Sequence, residues 1–119
     1  MNPGDVILAR LQQSDTRIKT RPAIVLTAFP PFDDLLISGV SSKLRHEVLG
    51  FDEALRGTDS DFGRSGLKVD SLIRLGMITT IPARAVVGKL GSISHERIVR
   101  LRNNLAGRIK ADSGSGSGE

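Results

Sequence analysis

An arginine stands directly before a proline at the head of an apolar run in Lys19-Thr20-Arg21-Pro22-Ala23-Ile24-Val25-Leu26-Thr27. Pro22 has no N–H and pushes the residue before it toward extended geometry. Ala23 to Leu26 reads as a buried strand. Arg21 is therefore expected at a strand entrance, held in place, with its guanidinium reaching outward. That placement suits a salt bridge, a phosphate or catalysis. A second apolar run, Leu35 to Ser42, ends in Ser41-Ser42-Lys43, two hydroxyls followed by a cation. His46 and His95 are the residues whose ordinary titration range fits general acid or base work. His95 falls at the start of a helix, where capping context accounts for it. His46 lies four residues past Ser42 and is the better candidate to swing over a site. Two histidines among scattered acids show no metal-ligand spacing, and Asp59 and Asp61 read as a solvated turn. No metal and no cofactor are expected.

Several short strands must position these groups. The first is expected over Asp5 to Leu11, after turn chemistry at Asn2-Pro3-Gly4. Gln12 to Thr20 reads as a polar, basic loop. Ala23 to Thr27 and Leu35 to Ser42 form the next two strands, joined by a turn around Pro30-Pro31. Lys43 to Lys68 is irregular, with a helical turn at Phe51 to Leu55 and loop composition from Gly57 to Gly66. Ser71 to Leu75, Met77 to Ile81 and Ala85 to Leu90 read as three further strands. A helix closes the chain, with Ser94 as N-cap and Glu96 in the first turn. Ile98, Leu101, Leu105 and Ile109 make one apolar stripe, and Ile93 staples onto Ile98. Arg97, Arg100, Arg102 and Arg108 lie on or beside the opposite, solvated face. The organisation predicted is one domain over residues 1–110 and a flexible Gly/Ser tail over 111–119. The fold class is mainly β with a C-terminal helix, a small, strongly bent sheet or barrel with that helix packed on it.

Pairing of the second and third strands brings two of the candidates together. If Thr27 faces Leu35, a regular antiparallel ladder puts Arg21 opposite Ser41. A slip of one residue would put Arg21 opposite Val40 and reverse the faces. In the first register the two Cβ atoms are about 5 Å apart. A guanidinium beside a hydroxyl, with Ser42 and Lys43 next along, makes a phosphate-binding corner. The competing reading is structural: Arg21 pairs with Asp5, Asp15 or Asp70.

Composition narrows the function classes. The 119 residues carry a net charge of +4. Asp112 and Glu119 lie in the last nine residues, which hold no Lys or Arg, so the body has 17 basic and 11 acidic groups, or +6. This balance fits a polyanionic partner or an ordinary basic surface. With no Trp, no Tyr and four Phe, the chain lacks the aromatic platforms of base-stacking single-strand binders. The absence of cysteine excludes disulfides and thiolate zinc sites. No apolar run approaches a membrane span, and the N-terminus has no signal-peptide pattern, so a soluble, cytoplasmic protein without membrane contact is expected.

Gly4-Asp5-Val6-Ile7-Leu8-Ala9, then a polar loop, then Arg21-Pro22-Ala23-Ile24-Val25-Leu26, resembles the opening of the MazF/PemK family of toxins. Leu35 to Ser42 resembles that family's third core strand, which ends in Thr or Ser. Asp70 to Leu75, Ile78 to Ile81 and Gly88-Lys89-Leu90-Gly91 resemble its later strands, and the closing helix matches. The resemblance runs from Asn2 to Ile109. It implies an SH3-like barrel with a C-terminal helix, usually a homodimer. It also implies a metal-independent, sequence-specific endoribonuclease acting on single-stranded RNA. The partner implied is a cognate antitoxin whose C-terminal segment occupies the RNA groove. The family's catalytic arginine falls on Arg21 and its catalytic Thr/Ser on Ser41. Arg17, Lys19, Ser42, Lys43 and Arg74 are the expected RNA contacts, with His46 as a further catalytic candidate. The loop from Gln12 to Thr20 is short and poor in glycine for the family, and His46 to Gly66 is long. Two other readings of the same fold are a gyrase poison like CcdB and a passive nucleic-acid-binding module.

Overall fold

The computed structural model describes residues 1–116, with side chains through 111. Six strands make one antiparallel, curled sheet in the order β4-β5-β3-β2-β1-β6. They are β1 (Asp5–Gln12), β2 (Ile18–Phe29), β3 (Asp34–Ser41), β4 (Glu53–Leu55), β5 (Ser71–Ile81) and β6 (Val86–Ser92). A four-residue helix, α1 (Phe62–Ser65), precedes β5, and the long helix α2 (His95–Gly116) follows β6. No described helix is long and apolar enough to cross a membrane.

Both faces of the central strands are covered, which is why their apolar runs are continuous rather than alternating. Val6, Ile24, Leu26, Leu55, Ile73 and Leu75 pack with Ile93, Ile98 and Leu101 under α2. Ile7, Ala9, Ala23, Val25, Leu35, Ile37 and Ile81 form a second cluster. Since side chains alternate along a strand, Leu11, Arg21, Gly39 and Ser41 continue the face of this second cluster. The site therefore lies on the sheet face away from α2.

The β2–β3 ladder differs from the expected one at its turn end. Thr27 faces Leu36 and Ala28 faces Leu35, while Ala23 faces Gly39 and Val25 faces Ile37. Leu26 is an extra residue between these two blocks, a bulge that absorbs the one-residue offset. The expected Thr27–Leu35 pair is thus displaced; at the other end the pairing stops at Ala23–Gly39, two residues short of Arg21 and Ser41, which line one groove. Strands expected separately at Ser71 to Leu75 and Met77 to Ile81 are one strand. Ser38 faces Ile78 but Gly39 faces Arg74, so Leu75 to Met77 are bulged out. Ser38 Oγ donates to the Arg74 carbonyl at 2.7 Å and closes this irregularity. The loop expected over Gln12 to Thr20 is shorter, because Gln12 and Leu11 pair with Ile18 and Lys19.

The stretch expected as a helical turn at Phe51 to Leu55 is instead a tight turn leading into β4. Buried Asp52 accepts the Val48 N–H at 2.9 Å and the Leu75 N–H at 3.0 Å, which fixes an extended exit toward β5. The solvated reading of Asp61 and Arg97 is also corrected. Arg97 is buried and its guanidinium meets Asp61 at 2.9 Å, Glu53 at 2.9 Å and Asp59 at 3.3 Å. It also donates to the Ala54 carbonyl at 3.0 Å. Arg100 joins Glu53 at 2.9 Å. These contacts fasten the segment between β3 and β5 to α2. Sequence periodicity could not see them, because all the acids lie more than thirty positions away.

Ser94 caps α2 as expected, accepting the Arg97 N–H at 3.2 Å. Ile93, Ile98 and Leu101 are buried and Leu105 is partly buried, but Ile109 is 63% exposed. The helix continues to Gly116, into the residues expected as a tail; 117–119 lie outside the described residues.

Burial raises the proton affinity of Asp61. Hydrogen bonds from Arg97 and the Ser94 N–H, together with the Arg97 charge, outweigh burial and hold it well below the usual carboxylate range. A lowered folded-state value stabilises the protein above the unfolded value near 3.8, and that contribution is lost as the pH falls. Arg97→Met leaves buried Asp61 uncompensated and is expected to cost about 3–5 kcal/mol at neutral pH. Urea denaturation at pH 7 and pH 3 checks this, with a smaller deficit expected at pH 3.

Candidate active site

Arg21 sits on β2 opposite Ala9 of β1. On its other side, β3 carries Gly39 opposite Ala23 and ends at Ser41. Arg21, Ser41, Ser42 and Lys43 line one groove of about 370 Å³, floored by Leu11, Gly39 and Met77. A second lobe of about 500 Å³ shares Leu11, Gln13, Gly39 and Met77 with the first. It adds Arg10 and the strand Ile78 to Ile81. Among the described residues, the two lobes hold three cations, Arg10, Arg21 and Lys43, and no carboxylate. A cleft lined by one sign of charge concentrates the opposite ion.

The acids that would make Arg21 structural are engaged elsewhere. Asp5 meets Lys89 at 3.1 Å, Asp15 meets Arg17 at 2.8 Å, and Asp70 accepts the Gly57 N–H at 2.7 Å. Among the described residues, no hydrogen bond or ion pair engages the Arg21 side chain. Ser41 Oγ accepts the Lys43 N–H at 3.0 Å. This local bond orders the turn after β3 and leaves the hydroxyl proton to donate elsewhere.

The other expected contacts are distributed differently. Ser42 and Lys43 line the groove and are exposed. Lys19 faces Leu11, on the same sheet face as Arg21. Arg17 lies in the β1–β2 turn, tied to Asp15. Arg74 pairs with Gly39 at the groove edge, and its Nη1 reaches Met77 Sδ at 3.3 Å. Its Nε is buried without a partner among the described residues. His46 is exposed in a 3-10 turn and does not line the groove.

Sequence reasoning missed the groove floor. Gly39 approaches Met77 so closely that an added Cβ would lie 2.8 Å from Met77 Cε and 3.1 Å from its Cβ. A glycine inside an apolar strand signals such an approach. Leu11 and Gln13 carry no comparable signal.

A curled antiparallel half-barrel, one face under a C-terminal helix and the other opening as a cationic groove, is the architecture of MazF/PemK-type toxins. The chain belongs to the PemK-like, MazF-like toxin family of type II toxin–antitoxin systems, whose family model matches residues 2–107. That family implies an antitoxin partner. No curated protein sequence matches the chain.

Because Arg21 holds nothing within the protein, Arg21→Ala is expected to change folding stability by no more than about 0.5 kcal/mol. Ser41→Ala removes the acceptor for Lys43 and is expected to cost about 1 kcal/mol. Urea midpoints of the two variants check both values.

Proposed function

We propose that this toxin is a metal-independent endoribonuclease that cuts single-stranded RNA at particular sequences and so inhibits translation and growth. The observation that carries the reading is the unpaired guanidinium of Arg21 in an acid-free groove beside Ser41. Arg21 is exposed to solvent at the groove, open to an anionic ligand, and a planar guanidinium matches a phosphate.

In this reading the ribose 2′-oxygen attacks the adjacent phosphorus. The new 2′-O–P bond closes a 2′,3′-cyclic phosphate as the P–O5′ bond breaks, and the leaving strand takes a proton to become a 5′-OH end. The 2′-OH proton passes to water. Arg21 donates to the non-bridging oxygens, where negative charge grows in the transition state. Ser41 donates its hydroxyl hydrogen to one of those oxygens or orients the 2′-OH. Arginine is a poor base, so catalysis rests on positioning and electrostatics, and slow turnover is expected. Lys43, Ser42, Lys19, Arg17 and Arg74 serve the RNA backbone, which contributes salt-dependent affinity. His46, outside the groove, is not required. The working form is a cytoplasmic homodimer, silenced when the antitoxin's C-terminal segment covers the groove.

Incubation of the purified protein with a long single-stranded RNA in EDTA is expected to give discrete cuts with 5′-OH ends. Arg21→Ala and Ser41→Ala are each expected to reduce the rate at least a hundredfold, in line with removal of a transition-state donor. Unchanged cutting by Arg21→Ala would overturn the site. Intact RNA with the wild-type protein would leave a passive binder or a gyrase poison.

A further inference from the structure

The chain has two methionines, Met1 and Met77. Met77 lines both lobes of the groove, and Met1 lines neither. At 44% exposure, Met77 is open to small solutes in the groove water. Its methyl end is set against Gly39, where an added Cβ would lie 2.8 Å from Cε. Its sulfur accepts a hydrogen bond from Arg74 Nη1 at 3.3 Å. Nε of the same guanidinium is buried and has no partner among the described residues. A thioether is a weak acceptor. Arg74 is therefore held by a bond that a phosphate oxygen displaces easily.

Oxidation reverses that balance. In the reaction of a thioether with a peroxide, a sulfur lone pair attacks one peroxide oxygen. The S–O bond forms as the O–O bond breaks, and the leaving oxygen takes the proton as water or an alcohol. Sulfur loses two electrons and the peroxide gains them. The product side chain is polar, and its oxygen is a stronger acceptor than the sulfur that carries it. Here that oxygen arises beside an arginine with one weakly bonded nitrogen and one unpartnered nitrogen. The guanidinium that the thioether leaves open to phosphate is then taken by the sulfoxide. The added oxygen also occupies the place where the two lobes join.

We propose that Met77 is an oxidation site, modified by hydrogen peroxide or an alkyl hydroperoxide, and that its sulfoxide weakens the groove's hold on a polyanion by capturing Arg74. The effect on RNA rests on the groove being the RNA site. The change is reversible, because methionine sulfoxide is reduced by dedicated enzymes.

Treatment with hydrogen peroxide followed by peptide mass spectrometry reads the modification. Met1, 53% exposed and outside both lobes, is the internal reference. Met77 is expected to gain one oxygen atom alongside Met1. The Arg74 Nε–H signal in a nitrogen–proton NMR spectrum is expected to shift as the Met77 sulfoxide forms. Binding of a fluorescent single-stranded RNA, made uncuttable by methylation of every 2′-OH, is expected to weaken about tenfold, the size of one charge-assisted hydrogen bond. Reduction by two methionine sulfoxide reductases, one for each epimer, is expected to restore both readings. Met77→Leu, compared only with itself before and after peroxide, is expected to lose no affinity. The reductase step uses the wild-type protein and so serves as the control even where Met77→Leu does not fold.

A Met77 peptide that stays unoxidised while Met1 is converted overturns the proposal. An unmoved Arg74 signal overturns the capture, and an RNA affinity unchanged by the sulfoxide overturns its effect on the groove. An equal loss in Met77→Leu places the damage elsewhere and overturns the site. Untreated protein that binds no RNA removes the RNA reading of the groove, and the mass and the Arg74 signal still decide the modification.

Discussion

Ala23, Ile24 and Val25 pair with Gly39, Ser38 and Ile37, and all six are buried. Everything at the site depends on that short ladder. One face is sealed by the helix and the other by the curl of the sheet, so a slip of one residue would exchange the two cores. A register locked from both sides carries its phase outward for two more residues. It delivers Arg21 and Ser41 to the same face at the same end. Leu26 lets the ladder keep this phase while the Pro-containing turn takes the length it needs.

The second irregularity shapes the groove. Three residues of β5 are displaced between Ser38 and Gly39, and Met77 is laid over the glycine. Only a residue without a Cβ tolerates Met77 in that place without adjustment. The bend turns the end of β5 toward the β1–β2 turn, and the trough between them joins the corner that holds Arg21. Gly39 therefore does for the groove what Leu26 does for the register: each is a local departure from a regular strand that sets the placement of functional side chains.

Two arginines show how context divides one chemistry into two roles. Arg97 is enclosed by Asp61, Glu53 and Asp59 and acts as a structural bolt between α2 and the long β3–β5 connection. Such a cluster offsets its desolvation only when every partner is in place. Arg21 has the same side chain and, among the described residues, no ion pair. It lines a groove that holds no carboxylate among the described residues. The family assignment agrees with the half-barrel around it.

The sequence by itself determined the strand runs, the Ser94 cap, the apolar start of α2 and the meeting of Arg21 with Ser41. These depend on residues near one another in the chain, through proline geometry, side-chain alternation and helix periodicity. The motif order from Asn2 to Ile109 was also enough to point to the toxin family. Tertiary structure decided what lies between distant segments. It joined the two halves of β5, turned Phe51 to Leu55 into a strand entrance, and buried Arg97 among acids from another part of the chain. It also brought Gln13 and Met77 to the groove floor and left His46 outside. No local pattern encodes such contacts. They arise when a curled sheet folds its own ends together, and each polar group then finds, or lacks, a partner according to what the fold has placed beside it.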